Sequence, residues 1–403
     1  MNQGFLRAII ALVAVTGALL ITAACSTASM APATVGPLPF AQYQRDTMAM
    51  VAERRRFQGT DRQAELTWNS PGEWQPVTAT TPASRPSKGV LLVHGLGDSP
   101  WSFHDIAPRL AADGFLVRSV LLPGHGTQPR DLLDVTLEQW RQVVLQQTLS
   151  LLKDVDGPVY LGGFSTGANL VLELASARND IAGLLLFSPG FKASTSVSWM
   201  APLIAPVLPW LRNPETGRAQ NATRYLNTPT NGFAQFHRSA VSAQQLLEER
   251  KFERPVFMVV AENDSVLDAA YLLRMFQQRF THPASRLIWY GEPPSQPIDP
   301  TRVLVRPDHV PEQRISHFSH MGVLFSPANP LYGVTGSLRI CQNGQRDEEM
   351  RACEQGAPLW FSDWGYREPG KVHARLTFNP YFDWQSDVMR AVFASAGGAQ
   401  TAR

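Results

Sequence analysis

The sequence has few charges, few cysteines and no internal repeat. Of its 403 residues 17% are charged, and 36 basic side chains nearly balance 34 acidic ones. A near-neutral chain without a basic tail or stripe lacks the electrostatic footprint of a nucleic-acid-binding protein, so we expect no nucleic acid partner. The content of hydrophobic residues, 44%, is instead typical of a globular protein with a large buried core.

The N-terminus lacks a convincing membrane span and is typical of an export signal. Arg7 precedes an apolar run over residues 8–24, which is short and flanked by small residues. We therefore predict a signal peptide at residues 1–24, followed by a tether and N-terminal segment at 25–60. Residues 26–39 are rich in Ser, Ala, Thr and Pro, as expected of a tether.

The first of the three cysteines, Cys25, directly follows this signal. The residues Thr22-Ala23-Ala24-Cys25 resemble a bacterial lipobox, in which the cysteine is lipidated, although Thr22 stands where leucine is usual. Cleavage nearby without a lipid, or an uncleaved anchor, is the alternative. With Ser26 after the cysteine, the resemblance implies a lipoprotein of the bacterial envelope, anchored to a membrane, with the periplasmic side of the outer membrane favoured.

Secretion would leave Cys341 and Cys353 as an even pair in an oxidising compartment. A bridge between them closes a short loop and stabilises the fold by roughly 3 kcal/mol in the chain-entropy account. We predict this disulfide, with two free thiols as the alternative. Neither cysteine has a histidine nearby in the sequence, so catalysis by cysteine is not expected.

The chain from Gly89 onwards alternates continuous apolar runs of strand length with segments of helical spacing. Strands that are apolar throughout and alternate with helices predict a parallel sheet covered on both faces, with its strand-to-helix turns at one edge. We expect one α/β domain over residues 61–395. The predicted strands are residues 90–93, 116–122, 159–162, 181–187, 255–261 and 286–290.

Two segments interrupt this alternation. Residues 191–253 contain an apolar, proline-broken and aromatic stretch, Trp199 to Leu211, followed by a helix near 240–250. We predict a cap over the strand ends, with a helical crossover containing buried tryptophans as the alternative. Residues 293–311 form a proline-rich insertion without clear periodicity, and residues 384–394 are predicted to be a C-terminal helix.

The pentapeptide Gly163-Phe164-Ser165-Thr166-Gly167 matches the G-x-S-x-G pattern, between an apolar strand and a helix. A serine on such a turn has a strained backbone, and small flanking residues let the strand and helix approach closely. The first helix amides then face incoming negative charge. We predict Ser165 as the nucleophile.

A serine nucleophile needs a histidine base held by an acid, which in this arrangement follow the serine in the order acid, then histidine. We choose Asp264, in the turn after residues 256–261, which we take to be the next-to-last strand of the sheet. Glu262 is too close to the strand, and Asp268 is placed in the next helix.

The base is expected in the apolar-flanked segment Ile315 to Gly322, where His320 is favoured over His317. Their His-x-x-His spacing suggests a metal site, but no third ligand stands out, so no metal is predicted. The oxyanion donors should be the Thr166 amide and the Leu96 amide, the latter in the loop after the first strand. His94 is expected to order that loop.

Together these motifs resemble the monoacylglycerol lipase and bacterial carboxylesterase branch of the α/β-hydrolases. The likeness extends roughly from Lys88 to Met321 and includes Leu122-Pro123-Gly124-His125-Gly126. It implies an α/β-hydrolase fold with a helical cap, a Ser-Asp-His triad of Ser165, Asp264 and His320, no cofactor, and a mobile cap that admits acyl chains. The long separation between Asp264 and His320 departs from the family pattern.

The function predicted is therefore that of a serine hydrolase acting on small-molecule or lipid esters. The first alternative is a peptidase or amidase on the same triad, which would need acidic cap residues to bind a free amine. The cap offers few beyond Glu215, Glu248 and Glu249. The second alternative is a non-catalytic envelope binding protein with a hydrolase fold, which a complete Ser, Asp and His set disfavours.

Overall fold

The computed structural model of the chain describes residues 37–77, 85–215 and 218–400. The predicted signal peptide, Cys25 and most of the tether lie outside these residues. Within them, no helix combines the length and apolar composition needed to cross a bilayer. The described residues form one compact unit.

An eight-stranded sheet forms the centre of this unit, in the order β1-β3-β2-β4-β5-β6-β7-β8. β1 pairs antiparallel to β3, and every other neighbouring pair is parallel. The order reverses between β2 and β4, where ligands bind in open α/β sheets. The strands are β1 (Gly72–Trp74), β2 (Gly89–Val93), β3 (Leu116–Val120), β4 (Val159–Phe164), β5 (Ile181–Phe187), β6 (Val256–Ala261), β7 (Arg286–Tyr290) and β8 (Val303–Arg306).

Helices cover both faces of the sheet, which confirms the predicted α/β architecture. The helices of the described residues are α1 (Phe40–Arg54), α2 (Arg62–Trp68), α3 (Ile106–Ala112), α4 (Leu137–Asp154), α5 (Thr166–Ala177), α6 (Ala201–Ile204), α7 (Thr230–Glu249), α8 (Ala269–Arg279), α9 (Asp347–Glu354) and α10 (Phe382–Gln400). Short 3-10 turns occupy Pro100–Phe103, Pro129–Leu132, Ser198–Met200 and Pro311–Gln313, and a separate parallel pair joins β9 (Leu359–Ser362) to β10 (Val372–Arg375).

Two apolar clusters lie on opposite faces of the sheet. One packs the sheet against α4, α5, α7 and α8 and contains the fully buried Trp140 and Phe276. The other packs it against α3, α10 and the chain after residue 315, and contains Phe103 and Phe318. Because both faces are covered, the central strands are buried at nearly every position, which explains their continuous apolar sequence.

The register of the sheet sets up the site. Val93, the last residue of β2, lies opposite Gly163 of β4, so the loops after these two strands emerge side by side. Helix α4 begins after Thr136, whose side chain forms a reciprocal capping box with Gln139.

The sequence analysis predicted six strands and did not predict β1, β8, β9 or β10, of which β8 affects the order of the strands before the site. The proline-rich insertion at 293–311 contains β8, which pairs with β7 at the edge of the sheet. β6 is therefore followed by two further strands and is third from last, so the assignment of the strand before Asp264 as next-to-last is wrong. A short edge strand with partly exposed residues gives neither an apolar run nor a clear alternation.

The N-terminal segment after residue 39 is helical and packs on the rest of the fold. Helix α1 belongs to the compact unit, and Arg55, which follows it, forms a buried ion pair with Glu65 at 2.7 Å. The Arg55 guanidinium also donates to the carbonyl oxygens of Gly126 and Ala222 at 2.7 Å each. This residue therefore ties the N-terminal helices to the segment that returns from the cap.

The predicted disulfide closes a loop in the segment that follows the sheet. Cys341 and Cys353 are bonded, with their Cα atoms 5.7 Å apart. The bridge spans the start of α9, and both cysteines are buried against the second apolar cluster. The cap helix α7 starts at Thr230, ten residues earlier than expected, and the C-terminal helix starts at Phe382.

Candidate active site

Ser165 lies on the sharp turn between β4 and α5. Its φ is +52° and its ψ is −115°, a conformation that L-residues rarely adopt. A Cβ atom on Gly163 would overlap the backbone of Gly167, and one on Gly167 would overlap the Val93 carbonyl. Glycine is therefore required at both flanking positions, since only a bare backbone lets β2, β4 and α5 approach so closely.

Hydrogen bonds hold this strained turn in place. The Ser165 N–H donates to the Phe187 carbonyl at the end of β5, and the Ser165 carbonyl accepts from the N–H groups of Ala168 and Gly190, each at 3.0 Å. Ser165 is 7% exposed. Its backbone is thus fixed by neighbouring strands, while the side chain borders a cavity described below.

His320 is paired with Asp264. Its Nδ1 lies 2.6 Å from Oδ2 of Asp264, whose other oxygen accepts from the N–H groups of Val266 and Leu267. A carboxylate only accepts hydrogen bonds, so Nδ1 carries the hydrogen and Nε2 keeps its lone pair. Ser188 Oγ donates to the His320 carbonyl at 3.0 Å and helps to hold the ring in position.

The other candidate base, His317, is elsewhere. Its Nδ1 lies 3.4 Å from Asp363, and its ring is 4.2 Å from that of Tyr366. Burial by itself would lower the pKa of His317, but neighbouring carboxylates, Asp363 first, raise it above its usual value. Residues 317 and 320 therefore do not converge on one ion, and no cluster of three metal-ligating side chains occurs in the ranges the structure describes.

The rejected acids have structural partners. Glu262 accepts from the N–H of Glu292 at 2.7 Å, in the turn after β7. Asp268 caps helix α8 through the Tyr271 N–H at 2.9 Å, and it forms an ion pair with Lys192. Of the three carboxylates considered, the structure pairs Asp264 with His320.

The loop after β2 carries Leu96 and is held by two buried histidines. Nε2 of His125 accepts from the Gly97 N–H, and Nε2 of His94 accepts from the Leu122 N–H, both at 3.0 Å. Burial lowers the pKa of His125 to about 4, and burial together with His125 lowers that of His94 well below its usual value. Both rings are thus neutral near pH 7 and able to accept, which orders the loop.

Two amides are available beside Ser165. Thr166 is the first residue of α5, where a helix leaves its N–H groups without intrahelical acceptors. The Leu96 N–H has no hydrogen-bond acceptor in the part of the chain that the structure describes. Both residues border the same cavity as Ser165, so their N–H groups are placed to donate hydrogen bonds to a ligand oxygen.

A cavity of about 630 Å³ lies above Ser165, between the sheet edge and the cap. Its wall is mostly apolar and includes Met200, Ile204 and Phe233 from the cap and Trp364 from the C-terminal segment. Sequence analysis did not predict Trp364, nor Arg224 and Tyr225 on the return from the cap, because these residues lie in irregular segments without a motif.

The fold and this site define a hydrolase of the α/β class. The chain matches the alpha/beta hydrolase family over residues 90–327, more than half of its length, and belongs to that family. The match begins in β2 and ends shortly after His320, so the disulfide-bonded segment and α10 lie beyond it.

Several known proteins are similar to the chain. It is 28% identical over 185 residues to the thermostable monoacylglycerol lipase of Bacillus sp. (strain H-257), which covers 44% of this chain and 71% of that protein. Among solved structures, a soluble variant of the Saccharomyces cerevisiae monoglyceride lipase covers 55% of this chain and 81% of its own, with 16% identity and a TM-score of 0.43. Est1E from Butyrivibrio proteoclasticus covers 55% of this chain and 83% of its own, with 15% identity and a TM-score of 0.41.

Proposed function

We propose that the protein is a serine hydrolase that cleaves carboxylic esters of an acyl or lipid-like substrate. The observation that carries the proposal is the 2.6 Å pair of His320 and Asp264, since His320 and the strained Ser165 border one apolar cavity. A base oriented by a buried acid, next to a serine on such a turn, is the arrangement that activates a hydroxyl for acyl transfer.

The reaction would proceed in two halves. Ser165 Oγ attacks the acyl carbon while His320 Nε2 takes its proton, and the oxyanion receives hydrogen bonds from the Leu96 and Thr166 amides. His320 then gives the proton to the departing alcohol, and an acyl-enzyme remains. In the second half His320 takes a proton from water as the water oxygen attacks the acyl carbon. The bond between the acyl carbon and Ser165 Oγ then breaks, His320 returns its proton to Oγ, and the acid is released. Asp264 stabilises the positive charge that His320 carries in both halves.

The mostly apolar wall of the cavity favours a substrate with an acyl chain. Cap residues such as Met200 and Ile204 offer dispersion contacts and apolar burial to a chain that extends from Ser165. The similarity to a monoacylglycerol lipase supports the same substrate class. A lipid on Cys25, as predicted from the sequence, would hold the enzyme beside a membrane that contains such esters.

The peptidase alternative has less support. Recognition of a free amine would require a carboxylate in the cavity, but the described residues that border it include no Asp or Glu. Glu215, Glu248 and Glu249, which the sequence offered for this role, are not part of the wall. A non-catalytic binding protein would have no need of the strained Ser165 turn.

A serine-directed probe tests the proposal. A fluorophosphonate should label Ser165, and Ser165→Ala should lose the label and lower the kcat for p-nitrophenyl esters by about 10⁴-fold or more. The control Ser176→Ala, near the end of the same helix, should keep both. Folded protein without label, or esterase activity that survives Ser165→Ala, would contradict the proposal and favour a binding role.

A further inference from the structure

Arg224 is the one fully charged side chain in the cavity wall, among the described residues that form it. It lies on the segment that returns from the cap to α7, and it is partly buried. A cation beside an apolar cavity is unfavourable unless a partner compensates for the loss of hydration. The partners of its guanidinium therefore decide what the residue does.

The protein supplies no anion in contact with this guanidinium. Its Nη1 lies 2.7 Å from Sδ of Met321, a weak acceptor, and no carboxylate of the described chain is within ion-pair distance. Asp98 interacts with Arg224 electrostatically without forming an ion pair: burial raises the pKa of Asp98, and the positive charge of Arg224 partly opposes that rise. Most of the donors of Arg224 thus remain available to a ligand.

The backbone that carries Arg224 is held from several sides. Oδ1 of Asn221 accepts from the N–H groups of Thr223 and Arg224, at 3.0 and 2.9 Å. The Tyr332 hydroxyl contacts both Asn221 and Thr223, and the Arg55 guanidinium binds the Ala222 carbonyl. The charge is therefore presented by a preorganised segment, which lowers the entropic cost of binding.

We infer that Arg224 binds an anionic oxygen group, a carboxylate or a phosphate, on the ester substrate. A guanidinium donates two parallel hydrogen bonds to either group, and an apolar environment strengthens them. Arg224 contacts Met321, the residue after His320, so the anion would lie near the reacting ester. This inference rests on the proposed ester hydrolysis and narrows its substrate class to acidic esters.

The alternative role for Arg224 is to compensate the charge of the buried Asp98. The test has to separate this role from substrate binding. A compensating Arg224 would affect neutral and anionic substrates alike, because its loss would disturb the loop that carries Leu96. A substrate-binding Arg224 affects the anionic substrate selectively. The ratio of the two kcat/KM values distinguishes these roles, whereas either value alone does not.

The test uses two pairs of esters with six-carbon acyl groups. The first pair is 1-hexanoylglycerol and 1-hexanoylglycerol 3-phosphate, which differ by an anion on the alcohol half. The second pair is p-nitrophenyl hexanoate and mono-p-nitrophenyl adipate, which differ by a carboxylate on the acyl half. Arg224→Met should lower the anionic-to-neutral ratio of kcat/KM by about tenfold or more in one pair, and the affected pair identifies which half carries the anion.

Arg212→Met serves as the matched control, since Arg212 is an exposed cap arginine outside the cavity wall and should leave both ratios unchanged. If Arg224→Met does not fold, the wild-type protein still tests the inference. Added salt should lower its anionic-to-neutral ratio of kcat/KM, because salt screens the attraction between Arg224 and the anionic group. If the neutral esters are hydrolysed and neither Arg224→Met nor added salt alters the anionic-to-neutral ratios, the inference is overturned and the proposed ester hydrolysis stands. If none of the four esters is hydrolysed, both proposals are overturned.

Discussion

The base of the cavity and the segment that covers it differ in how their residues are used. We call residues 93–98 and 163–168 the floor, and residues 197–211 the cap segment. In the floor, backbone packs on backbone, and a Cβ atom on Gly95 would lie 3.0 Å from the Phe164 ring. In the cap segment, large apolar side chains face solvent, and Leu203 and Val207 are 67% and 81% exposed.

The contrast shows which parts of the site tolerate change. The floor positions Ser165 and two amides by close packing, so a single added methyl group forces a strand or helix to shift. The cap segment is apolar without belonging to either apolar cluster, and its Trp199 is 55% exposed rather than buried. An exposed apolar segment of this kind marks a place of contact with a ligand or an apolar surface.

The largest effect is expected at Gly167 of the floor. In Gly167→Ala the new methyl group would overlap the Val93 carbonyl oxygen, so α5 and β2 must separate. We expect the free energy of unfolding to fall by about 3 kcal/mol or more, with the loss of fluorophosphonate labelling at Ser165. Urea unfolding and labelling of the folded fraction measure the two effects.

Gly59→Ala is the control for this substitution. Gly59 is exposed, and a Cβ atom there meets its nearest neighbour, Oε2 of Glu65, at an ordinary 3.7 Å. Its effect on the free energy of unfolding should stay within about 0.5 kcal/mol. If the two variants lose equal amounts of unfolding free energy, the close packing of the floor does not explain the effect of Gly167→Ala.

The second-largest effect depends on pH and concerns His125, which accepts a hydrogen bond from Gly97 of the floor. The pKa of His125 is lowered from 6.5 to about 4, so between these values the unfolded chain binds a proton that the folded protein excludes. Stability from this residue is complete above pH 6.5 and is lost as the pH falls towards 4. The loss should reach about 3 kcal/mol, at 1.36 kcal/mol for each unit of pKa.

Urea unfolding at pH 4.5 and pH 7.5 measures this loss. In His125→Gln, where an amide oxygen replaces the acceptor but does not titrate, the difference between the two pH values should shrink by about 2 to 3 kcal/mol. His237→Gln, on the partly exposed side of α7, should change the difference much less. The same pH dependence in His125→Gln and in the wild type would assign the loss to other groups.

The fold could be predicted where the sequence pattern is local. The predicted bounds of β5 and β7 agree with the structure. Strands of a parallel sheet are buried on both faces, so their sequences are continuous apolar runs that are easy to recognise. Strand β8 was missed because Val303–Arg306 is short and at the edge. Helix α1 was missed because only Phe40 and Val51 of its 15 residues are buried, which leaves little helical periodicity.

The site could be predicted where topology brings motifs together. Ser165 and Leu96 follow adjacent parallel strands, and Asp264 follows a third, so their convergence at one sheet edge follows from the fold. His320 had to be chosen by its apolar neighbours, since a long loop separates it from Asp264. Arg224 was beyond prediction, because its place in the wall depends on contacts with residues more than a hundred positions away.

The smallest effect on stability is expected in the cap segment. Met200 is 39% exposed and borders the cavity, so Met200→Ser should change the free energy of unfolding by less than about 0.5 kcal/mol. It should nevertheless lower kcat/KM for a dodecanoyl ester about fivefold relative to an acetyl ester, since only the long acyl chain reaches the lost apolar contact.

Val207→Ser separates this contact from general cap polarity, because Val207 is more exposed than Met200 and lies outside the cavity wall. It should change neither stability nor chain-length preference. If both variants lower dodecanoyl turnover equally, the cap segment acts as one apolar surface rather than through the residues that line the cavity. If neither does, the acyl chain takes another path out of the cavity.

In the floor, by contrast, a single methyl group should affect stability and activity together, because packing and chemistry there depend on the same backbone atoms.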